Sequence, residues 1–294
     1  MDGGKRMIEK LTGSELKKIL DSCGFGFSKS LGQNFLCDER ILNIIADDAC
    51  IDKNQTVLEI GTGAGTLTRV LSKRAKKVVS VEVDKTLLPV HEKTLDGFDN
   101  VKVINDDFLA LDTKELVKNE LEDGFAVCAN LPYYITTPII MRLLESDVNF
   151  KTITVLVQKE VAKRMAAKEN TPEYGSLTCA VQFYTTAKLC SKIPASCFYP
   201  APKVDSQVIR LEKREKPAVS VKSEKIFFET VRSAFAMRRK TLANNLIASF
   251  DIDREAAEGV ILSCGLKPAV RGEALSLENL ARVADKIYEI KSEV

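Results

Sequence analysis

The chain has 294 residues, of which 45% are hydrophobic and 29% are charged, a composition typical of a globular protein with one or two domains. No apolar run approaches the roughly 20 residues that a membrane-spanning helix needs, and no apolar segment near the N-terminus indicates a secretory signal. We therefore expect a cytoplasmic protein without a membrane segment. The net charge of +2 does not indicate a nucleic-acid binder, so any such function must depend on local basic clusters.

The cysteines and the single histidine argue against metal chemistry. None of the eight cysteines forms a C-x-x-C pair and the only histidine is His91, so no metal site is expected. Several cysteines lie in apolar runs, where a reduced thiol behaves as a small hydrophobic side chain. His91 lies in a helical segment and is interpreted as a surface or packing residue.

The predicted elements begin with two helices, GSELKKILDSCGF and DERILNIIADDACI, separated by the loop GFSKSLGQNFL. From about residue 55 to residue 158, β-branched runs alternate with helical segments. Such alternation indicates a mostly parallel sheet covered by helices on both faces. The predicted strands are TVLEIG, KVVSVEVD, VKVIND, FAVCAN and TITVLVQ. The predicted fold class is therefore a doubly wound, Rossmann-like α/β domain.

The C-terminal part of the chain has a different pattern. QFYTTAKLCSKIP and SQVIRLEKR supply one or two further strands, and the charged segment EKREKPAVSV resembles a linker. Beyond it the pattern is helical over residues 223–250, 253–265 and 276–290, with Ser276 as the N-cap of the last helix. The sequence thus predicts one domain over residues 1–212 and a small all-helical domain over residues 217–294.

A glycine-rich turn follows the first strand of the predicted sheet. Gly61, Gly63 and Gly65 in VLEIGTGAGTLT permit a tight turn and close approach of a ligand, or serve the turn alone. Their spacing departs from the dinucleotide fingerprint G-x-G-x-x-G, which weakens a NAD hypothesis. Glu82 ends the second strand, where it can accept hydrogen bonds from ribose hydroxyls, and Asp107 after the third strand can reach an adenine amino group. Each carboxylate alone is also consistent with a solvated strand end, but together with the turn they predict a nucleoside site.

The motif NLPYY, residues 130–134, begins where the fourth strand ends and so faces the same crevice. The exocyclic nitrogen of adenine is a weak nucleophile. Two acceptors, the side-chain oxygen of Asn130 and the backbone carbonyl of Pro132, would stabilise the charge that develops on this nitrogen. Pro132 also stiffens the turn, and Tyr133 supplies a face on which a flipped base can stack. The alternative interpretation is a strand-to-helix turn with incidental aromatic residues.

The glycine turn and the acidic strand ends resemble those of class I S-adenosylmethionine-dependent methyltransferases. Five stretches together resemble the KsgA/Dim family of small-subunit ribosomal RNA adenine N6-dimethyltransferases, namely GQNFL, EIGTGAGTLT, VEVD, NLPYYITTPI and CFYPAPKVDSQVIRL. The stretch AFAMRRKTLANNL extends this resemblance into the helical tail, so that it covers nearly the whole chain. Tyr134 departs from the pattern, because many members have a small polar residue at this position.

The resemblance implies a role for each matching residue. The implied ligands of the cofactor, S-adenosylmethionine, are Asn34, Leu36, Gly61, Gly63, Glu82, Asp107 and Asn130. The implied catalytic residues are Asn130, Leu131, Pro132 and Tyr133. The implied substrate-binding residues are Tyr133, Phe198 as a second stacking face, Lys203 near the phosphate path, and Arg238, Arg239 and Lys240 on a helix that docks ribosomal RNA. From chemistry alone, Phe198 is equally consistent with a packed loop aromatic, and the basic triplet with a solvated helix face.

The implied activity is N6,N6-dimethylation of two adjacent adenosines near the 3′ end of 16S rRNA, by a monomeric enzyme whose partner is the 30S precursor particle. Two alternatives stay open at this point. Macrolide-resistance methyltransferases that act on 23S rRNA share the QNFL and asparagine motifs, but Pro138 and Asp205 look more like the small-subunit group. A ribosome-assembly or transcription factor could also keep this fold without turnover, although the intact Asn130, Glu82 and glycine turn favour an enzyme.

Overall fold

The computed structural model describes residues 11–28 and 31–292 and divides into two compact units. The first unit comprises the described residues up to 162 together with Lys188–Lys213. The second comprises Lys163–Ala187 and the described residues from 214 onward. Within these described ranges, no helix is both long and apolar enough to cross a membrane.

The predicted Rossmann-like sheet is confirmed as a seven-stranded, mostly parallel sheet. The strands of the structure are β1 (Phe35–Leu36), β2 (Thr56–Ile60), β3 (Lys77–Glu82), β4 (Val101–Asn105), β5 (Phe125–Asn130), β6 (Phe150–Gln158), β7 (Thr185–Ile193), β8 (Phe198–Tyr199) and β9 (Ser206–Lys213). The large sheet has the order β4-β3-β2-β5-β6-β9-β7, with β9 antiparallel to β6. β1 and β8 form a separate antiparallel pair. The parallel strands β2, β3 and β5 therefore end at the same edge of the sheet.

Helices of the first unit follow the predicted alternation. They are α1 (Gly13–Ser22), α2 (Glu39–Asp48), α3 (Thr66–Ser72), α4 (Leu88–Thr94), α5 (Thr113–Glu120), α6 (Thr136–Glu145) and α7 (Lys159–Met165), the last of which continues into the second unit. Thr12 begins α1 with a capping box, because its side chain accepts from the Glu15 N–H and Glu15 accepts from the Thr12 N–H. The apolar faces of α2 and α3 pack against the sheet in a buried cluster that includes Ile45, Leu71 and Val57.

The second unit is helical and corrects one prediction. Its further helices are α8 (Ser176–Tyr184), α9 (Glu224–Ala236), α10 (Leu242–Phe250), α11 (Arg254–Ser263) and α12 (Leu277–Ser292). The single helix predicted over 223–250 is wrong, because the chain turns between α9 and α10. Asn245 donates from Nδ2 to the carbonyls of Ala234 and Met237, and Thr241 caps α10 by accepting from the Asn244 N–H. Side-chain hydrogen bonds thus satisfy the backbone groups that the break in the helix exposes.

The segment Lys163–Ala187 belongs to the second unit, whereas the sequence pattern places it in the domain over 1–212. The physical reason is aromatic packing between residues far apart in the chain. Phe183 of α8 stacks on Phe227 of α9 with ring centroids 4.9 Å apart, and meets Phe228 edge to face at 5.2 Å. Nothing in the local sequence of α8 shows which partner its apolar side chains will find.

Gly272 lies in close contact with the backbone of α9 in the second unit. A Cβ at this position would lie 2.2 Å from the carbonyl oxygen of Ala234, a distance that real structures do not show. The contact holds the short turn Gly272–Ala274 against α9. The adjacent Leu275 carbonyl accepts from the buried Tyr174 hydroxyl at 2.8 Å. Gly272 therefore permits a packing that no larger residue allows.

Gly272→Ala should destabilise the protein by about 1–3 kcal/mol or more, because the added methyl group overpacks a rigid backbone contact. Gly259→Ala is the matched control, since a Cβ there meets nothing within 4 Å and Gly259 lies inside α11. In the control we expect a gain of up to about 1 kcal/mol from helix propensity. Urea unfolding of both variants measures the difference, and equal stabilities would contradict the proposed contact.

Candidate active site

A cleft of about 1010 Å³, including its open mouth, lies at the carboxyl ends of the parallel strands in the first unit. Gly61 follows β2, Glu82 ends β3 and Asn130 ends β5, and all three line the cleft. A crevice at this edge is where open α/β sheets bind their ligands. The structure therefore brings together the glycine turn, the acidic strand end and the NLPYY motif, as the strand order requires.

The glycine turn needs its glycines for two different reasons. Gly63 has φ of 53°, and a Cβ there would lie 3.2 Å from the Phe35 ring that packs on it. Gly65 has φ of 79° as the N-cap of α3, and a Cβ there would lie 2.9 Å from Leu95. Backbone conformation and close packing thus both exclude larger residues. The third glycine serves helix packing even though its spacing differs from the dinucleotide fingerprint.

Glu82 is buried and held by backbone donors. Its Oε2 accepts from the Gly63 N–H at 2.8 Å, and its Oε1 accepts from the Asp84 N–H at 2.9 Å. Burial raises the pKa of Glu82, while these backbone hydrogen bonds act in the opposite direction. Each carboxylate oxygen has a second lone pair, so the group can still accept from a ligand hydroxyl.

Asp107 lines the same cleft but is exposed to solvent. Its Oδ1 accepts from the Leu109 N–H at 2.9 Å, which fixes the carboxylate at the start of the turn after β4. The structure thus places both predicted acidic residues on one cleft, with Glu82 deep and Asp107 near the solvent.

The loop before β1 is tied across the cleft by side-chain amides. Asn130 donates from Nδ2 to the Asn34 carbonyl at 3.2 Å, and Asn34 donates from Nδ2 to the Gly32 carbonyl at 2.9 Å. Gln33 donates from Nε2 to Asp84 at 2.5 Å. Because the Asn130 nitrogen is engaged by the loop, its Oδ1 is the acceptor that stays available, and no group of the described residues donates to it.

Leu36 and Phe198 face each other in the β1–β8 pair. Both line the cleft, yet only 1% of Leu36 and 5% of Phe198 is exposed, and both belong to the core cluster beneath it. Phe198 is predicted to form a second stacking face opposite Tyr133, with a packed aromatic as the alternative. In this structure it is a buried aromatic of β8 in the wall of the cleft, and its stacking role stays a prediction.

In the NLPYY turn, the backbone carbonyl that is free to accept a hydrogen bond differs from the predicted one. The Pro132 carbonyl accepts from the Ile135 N–H at 3.2 Å and from the Thr136 hydroxyl at 3.1 Å, at the start of α6. Both lone pairs are therefore used, which argues against the predicted role of this carbonyl as an acceptor for an amine. Leu131 also lines the cleft, and no described residue donates to its carbonyl.

Tyr133 is half-buried in the wall of the cleft. Its hydroxyl shares a hydrogen bond of 2.7 Å with the buried Ser206 at the start of β9. Burial raises the pKa of Tyr133, so the phenol is neutral at physiological pH. The hydrogen bond restricts rotation of the ring and holds its position in the wall.

The predicted phosphate-contacting residues lie outside the cleft lining. Lys203 is exposed in the loop between β8 and β9 of the first unit. Arg238, Arg239 and Lys240 are exposed in the second unit, in the turn between α9 and α10 and not on a helix as predicted. Arg238 lies 3.6 Å from Glu273 and donates to the Tyr174 carbonyl, so one member of the triplet is oriented by its own unit.

Sequence reasoning missed Glu59, a fully buried carboxyl that lines the cleft. Its Oε2 accepts from the Thr68 and Ser80 hydroxyls at 2.6 and 2.7 Å, whereas its Oε1 has no partner among the described groups. Burial raises the pKa of Glu59 to about 8. A charged residue inside the apolar strand TVLEIG was the available signal.

His91 packs beneath the glycine turn. It is buried, and its Nε2 lies 2.8 Å from the Gly63 carbonyl, to which it donates. Burial lowers the pKa of His91, so the ring is neutral at pH 7. The packing interpretation is correct and the surface interpretation is wrong. Within residues 11–28 and 31–292, no three His, Cys, Asp or Glu side chains are grouped so as to hold a metal.

A mostly parallel sheet with a glycine turn after one strand and acidic groups after the next two is typical of class I methyltransferases. Comparison with known proteins refines this class. The family model for ribosomal RNA adenine dimethylase matches residues 24–286, and the chain belongs to this family.

Relatives and solved structures agree with this assignment. The chain is 48% identical over 274 residues to the ribosomal RNA small subunit methyltransferase A of Clostridium botulinum, covering 93% of this chain and 98% of that protein. It is 47% identical over 290 residues to the protein of the same name from Bacillus cytotoxicus, covering 97% and 99%. The 23S rRNA methyltransferase ErmE is similar in structure, with TM-score 0.64, 28% identity and coverage of 87% and 100%. A dimethyladenosine transferase from Plasmodium falciparum has the same fold, with TM-score 0.69, 24% identity and coverage of 88% and 98%.

Glu59→Gln should flatten part of the pH dependence of stability. Because folding raises the pKa of Glu59 from its ordinary 4.5 to about 8, the folded state favours the neutral carboxyl. The stability that this contributes is complete below about pH 4.5 and is lost as the pH rises toward 8. Glutamine has nearly the same shape as glutamate but does not titrate. In urea unfolding we therefore expect the free energy of unfolding of the wild type to fall more over this pH range than that of the variant. Parallel curves would show that Glu59 does not titrate there.

Proposed function

We propose that this protein transfers methyl groups to the N6 atoms of two adjacent adenosines near the 3′ end of 16S rRNA during ribosome biogenesis. The observation that carries the proposal is the near-complete match to small-subunit methyltransferases, at 47–48% identity over almost their full length. The cleft adds the chemistry, since it combines a nucleoside site with acceptors for an aromatic amine. ErmE shares the architecture at 28% identity, so the 23S rRNA alternative is less favoured.

The residues of the cleft fit S-adenosylmethionine as cofactor. Glu82 can accept from ribose hydroxyls and Asp107 from an adenine amino group, and the glycine turn allows close approach of the backbone. The unpartnered Glu59 Oε1 is a buried polar atom at the same cleft, where a polar ligand group would satisfy it. The remaining predicted contacts, Asn34 and Leu36, also line the cleft. When bound, this cofactor supplies a methyl group on a sulfonium centre.

Asn130 and Leu131 act on the target amine. The Asn130 Oδ1, oriented by the bond from Nδ2 to the Asn34 carbonyl, and the unused Leu131 carbonyl accept hydrogen bonds from the amine. These acceptors stabilise the positive charge that develops on the nitrogen as it is methylated. The methylated nitrogen is then an acidic ammonium-type centre that releases its proton to solvent water, so no strong general base is required. Pro132 contributes by accepting a hydrogen bond from the hydroxyl of Thr136, the first residue of α6, and by keeping the turn rigid.

Tyr133 and Phe198 form the walls for the target base. The Tyr133 ring, fixed by its hydroxyl on Ser206, gives a stacking face for an extruded adenine. Phe198 limits the cleft on the side of the β1–β8 pair. Because each adenine receives two methyl groups, the walls must also admit N6-methyladenine.

The exposed basic residues bind the RNA backbone. Lys203 and the triplet of the α9–α10 turn contribute phosphate contacts, which position the substrate without specifying bases. We assign catalysis to the first unit and RNA docking to the second unit, with a 30S precursor particle as the substrate of a monomeric, cytoplasmic enzyme. In a turn, the three basic side chains of the triplet can point in different directions, which suits docking on an irregular RNA surface.

Methylation of under-methylated 30S subunits tests the function directly. The protein is incubated with S-adenosylmethionine and either these subunits or 23S rRNA, and the RNA products are analysed by mass spectrometry. We expect two dimethyladenosines near the 3′ end of 16S rRNA and none in 23S rRNA. Product confined to 23S rRNA would overturn the proposal in favour of the resistance-type activity.

Glu82→Ala serves as the cofactor-site control in this experiment. It removes the carboxylate held by the Gly63 and Asp84 N–H groups, so we expect loss of cofactor binding and of methylation. RNA binding should persist, because Glu82 lies in the cleft and, among the described residues, no hydrogen bond or ion pair joins its carboxylate to an exposed basic residue. Full methylation by this variant would contradict the ribose-contact assignment.

Tyr133→Ala should weaken RNA substrate binding by about 1–3 kcal/mol, the value of one stacked base, while leaving affinity for S-adenosylhomocysteine nearly unchanged. Tyr133→Phe keeps the ring but loses the bond to Ser206, and should have a smaller effect. Phe198→Leu tests the opposite wall while retaining most of the buried volume. Substrate KM and calorimetry with S-adenosylhomocysteine measure the two effects. A comparable loss of cofactor affinity would contradict the base-wall roles.

A further inference from the structure

Tyr134 is the most exposed large apolar side chain that lines the cleft. Of the residue, 55% is accessible to solvent, although it follows directly after Tyr133. Its hydroxyl makes no hydrogen bond with any described residue, in contrast to the hydroxyl of Tyr133. An exposed aromatic ring gains nothing from burial in the free protein. Its position in the cleft lining makes the ring accessible to a bound ligand.

The Tyr134 ring is supported from one side. A Cβ on Gly32 would lie 3.4 Å from Cδ1 and 3.5 Å from Cε1 of Tyr134, which is ordinary van der Waals contact, so the ring edge lies beside Gly32. Gly32 has φ of 59°, and its carbonyl accepts from Asn34. The hydrogen-bonded loop thus forms a support for the ring. Because the ring is already held, a ligand that stacks on it loses little conformational entropy of the side chain.

The chemistry of the reaction supplies the ligand. Extruding a target adenine into the cleft unstacks it from its neighbour, whose face then lacks a partner. Adjacent residues have Cα atoms about 3.8 Å apart, so Tyr134 stands beside the wall that Tyr133 offers to the target base. Phe198 is not available for this second role, since it is 5% exposed and packed in the core.

We propose that Tyr134 is a stacking platform for the nucleobase next to the target adenosine. This inference rests on the proposed function and adds a second base subsite to it. When one adenosine occupies the cleft, its neighbour stacks on Tyr134 at the mouth, and the pair keeps the RNA strand in register for methylation of the other. Stacking is tolerant of base identity, so the platform contributes affinity and positioning while specificity stays with the cleft.

The test compares Tyr134→Leu with Tyr134→Phe. Leucine keeps an apolar side chain against Gly32 but offers no ring, whereas phenylalanine keeps the ring and removes only the unbonded hydroxyl. With under-methylated 30S subunits as substrate, we expect Tyr134→Leu to raise KM by about 5- to 150-fold with a much smaller change in kcat. Tyr134→Phe should restore the wild-type KM. Affinity for S-adenosylhomocysteine, measured by calorimetry without RNA, should be the same in all three proteins.

Leu189→Ala is the control, because Leu189 is an exposed apolar residue of β7 in the first unit and does not line the cleft. We expect its KM to equal that of the wild type.

An unchanged KM in Tyr134→Leu would overturn the inference. Equal losses of S-adenosylhomocysteine and RNA affinity would also overturn it, because they would make Tyr134 a support of the cofactor loop. If the wild type itself leaves 30S subunits unmethylated, the proposed function fails and the inference fails with it; active wild type with unaffected variants overturns the inference alone.

Discussion

Parallel pairing of β2 with β3 on one side and β5 on the other is the constraint on which the site depends. The register opposes Ile60 to Val81, and the Gly61 N–H extends the pairing by donating to the Val81 carbonyl at 2.8 Å. Because parallel strands end at the same edge, the turn after β2 meets the carboxylate that ends β3. The Gly63 N–H then donates to the Glu82 carboxylate, and this hydrogen bond offsets part of the cost of burying that group.

A second set of hydrogen bonds builds the reactive end of the cleft on this frame. The Asn130 side-chain amide donates to the backbone of the loop before β1, and Gln33 of that loop donates to Asp84 after β3. These two hydrogen bonds connect the loop to the strand ends. This arrangement selects which atom of Asn130 is left for a substrate. At the start of α6, hydrogen bonds occupy the Pro132 carbonyl, whereas no described residue donates to the Leu131 carbonyl. The acceptors that stay available to a ligand are therefore those that no hydrogen bond within the described residues occupies.

Local patterns predicted the sheet well and the turns less well. The strands were readable because β-branched runs buried on both faces are almost continuously apolar, as in β5. The break between α9 and α10 was not readable, because residues 223–250 have helical character throughout and the break depends on Asn245 bonding back to the end of α9. Glu59 could be noticed as a charge in an apolar strand, but its unpaired oxygen and raised pKa arise only from burial.

The sequence by itself determined the class of chemistry at this edge, since the glycines, the carboxylates at strand ends and the NLPYY motif follow from strand order and local backbone preference. Tertiary structure alone decided which groups are available. It buried Phe198, exposed Tyr134, used the Pro132 carbonyl and placed Lys163–Ala187 with the second unit. The physical reason is that exposure and hydrogen-bond occupancy depend on contacts between residues far apart in the chain. Periodicity and spacing along one segment carry no information about those contacts.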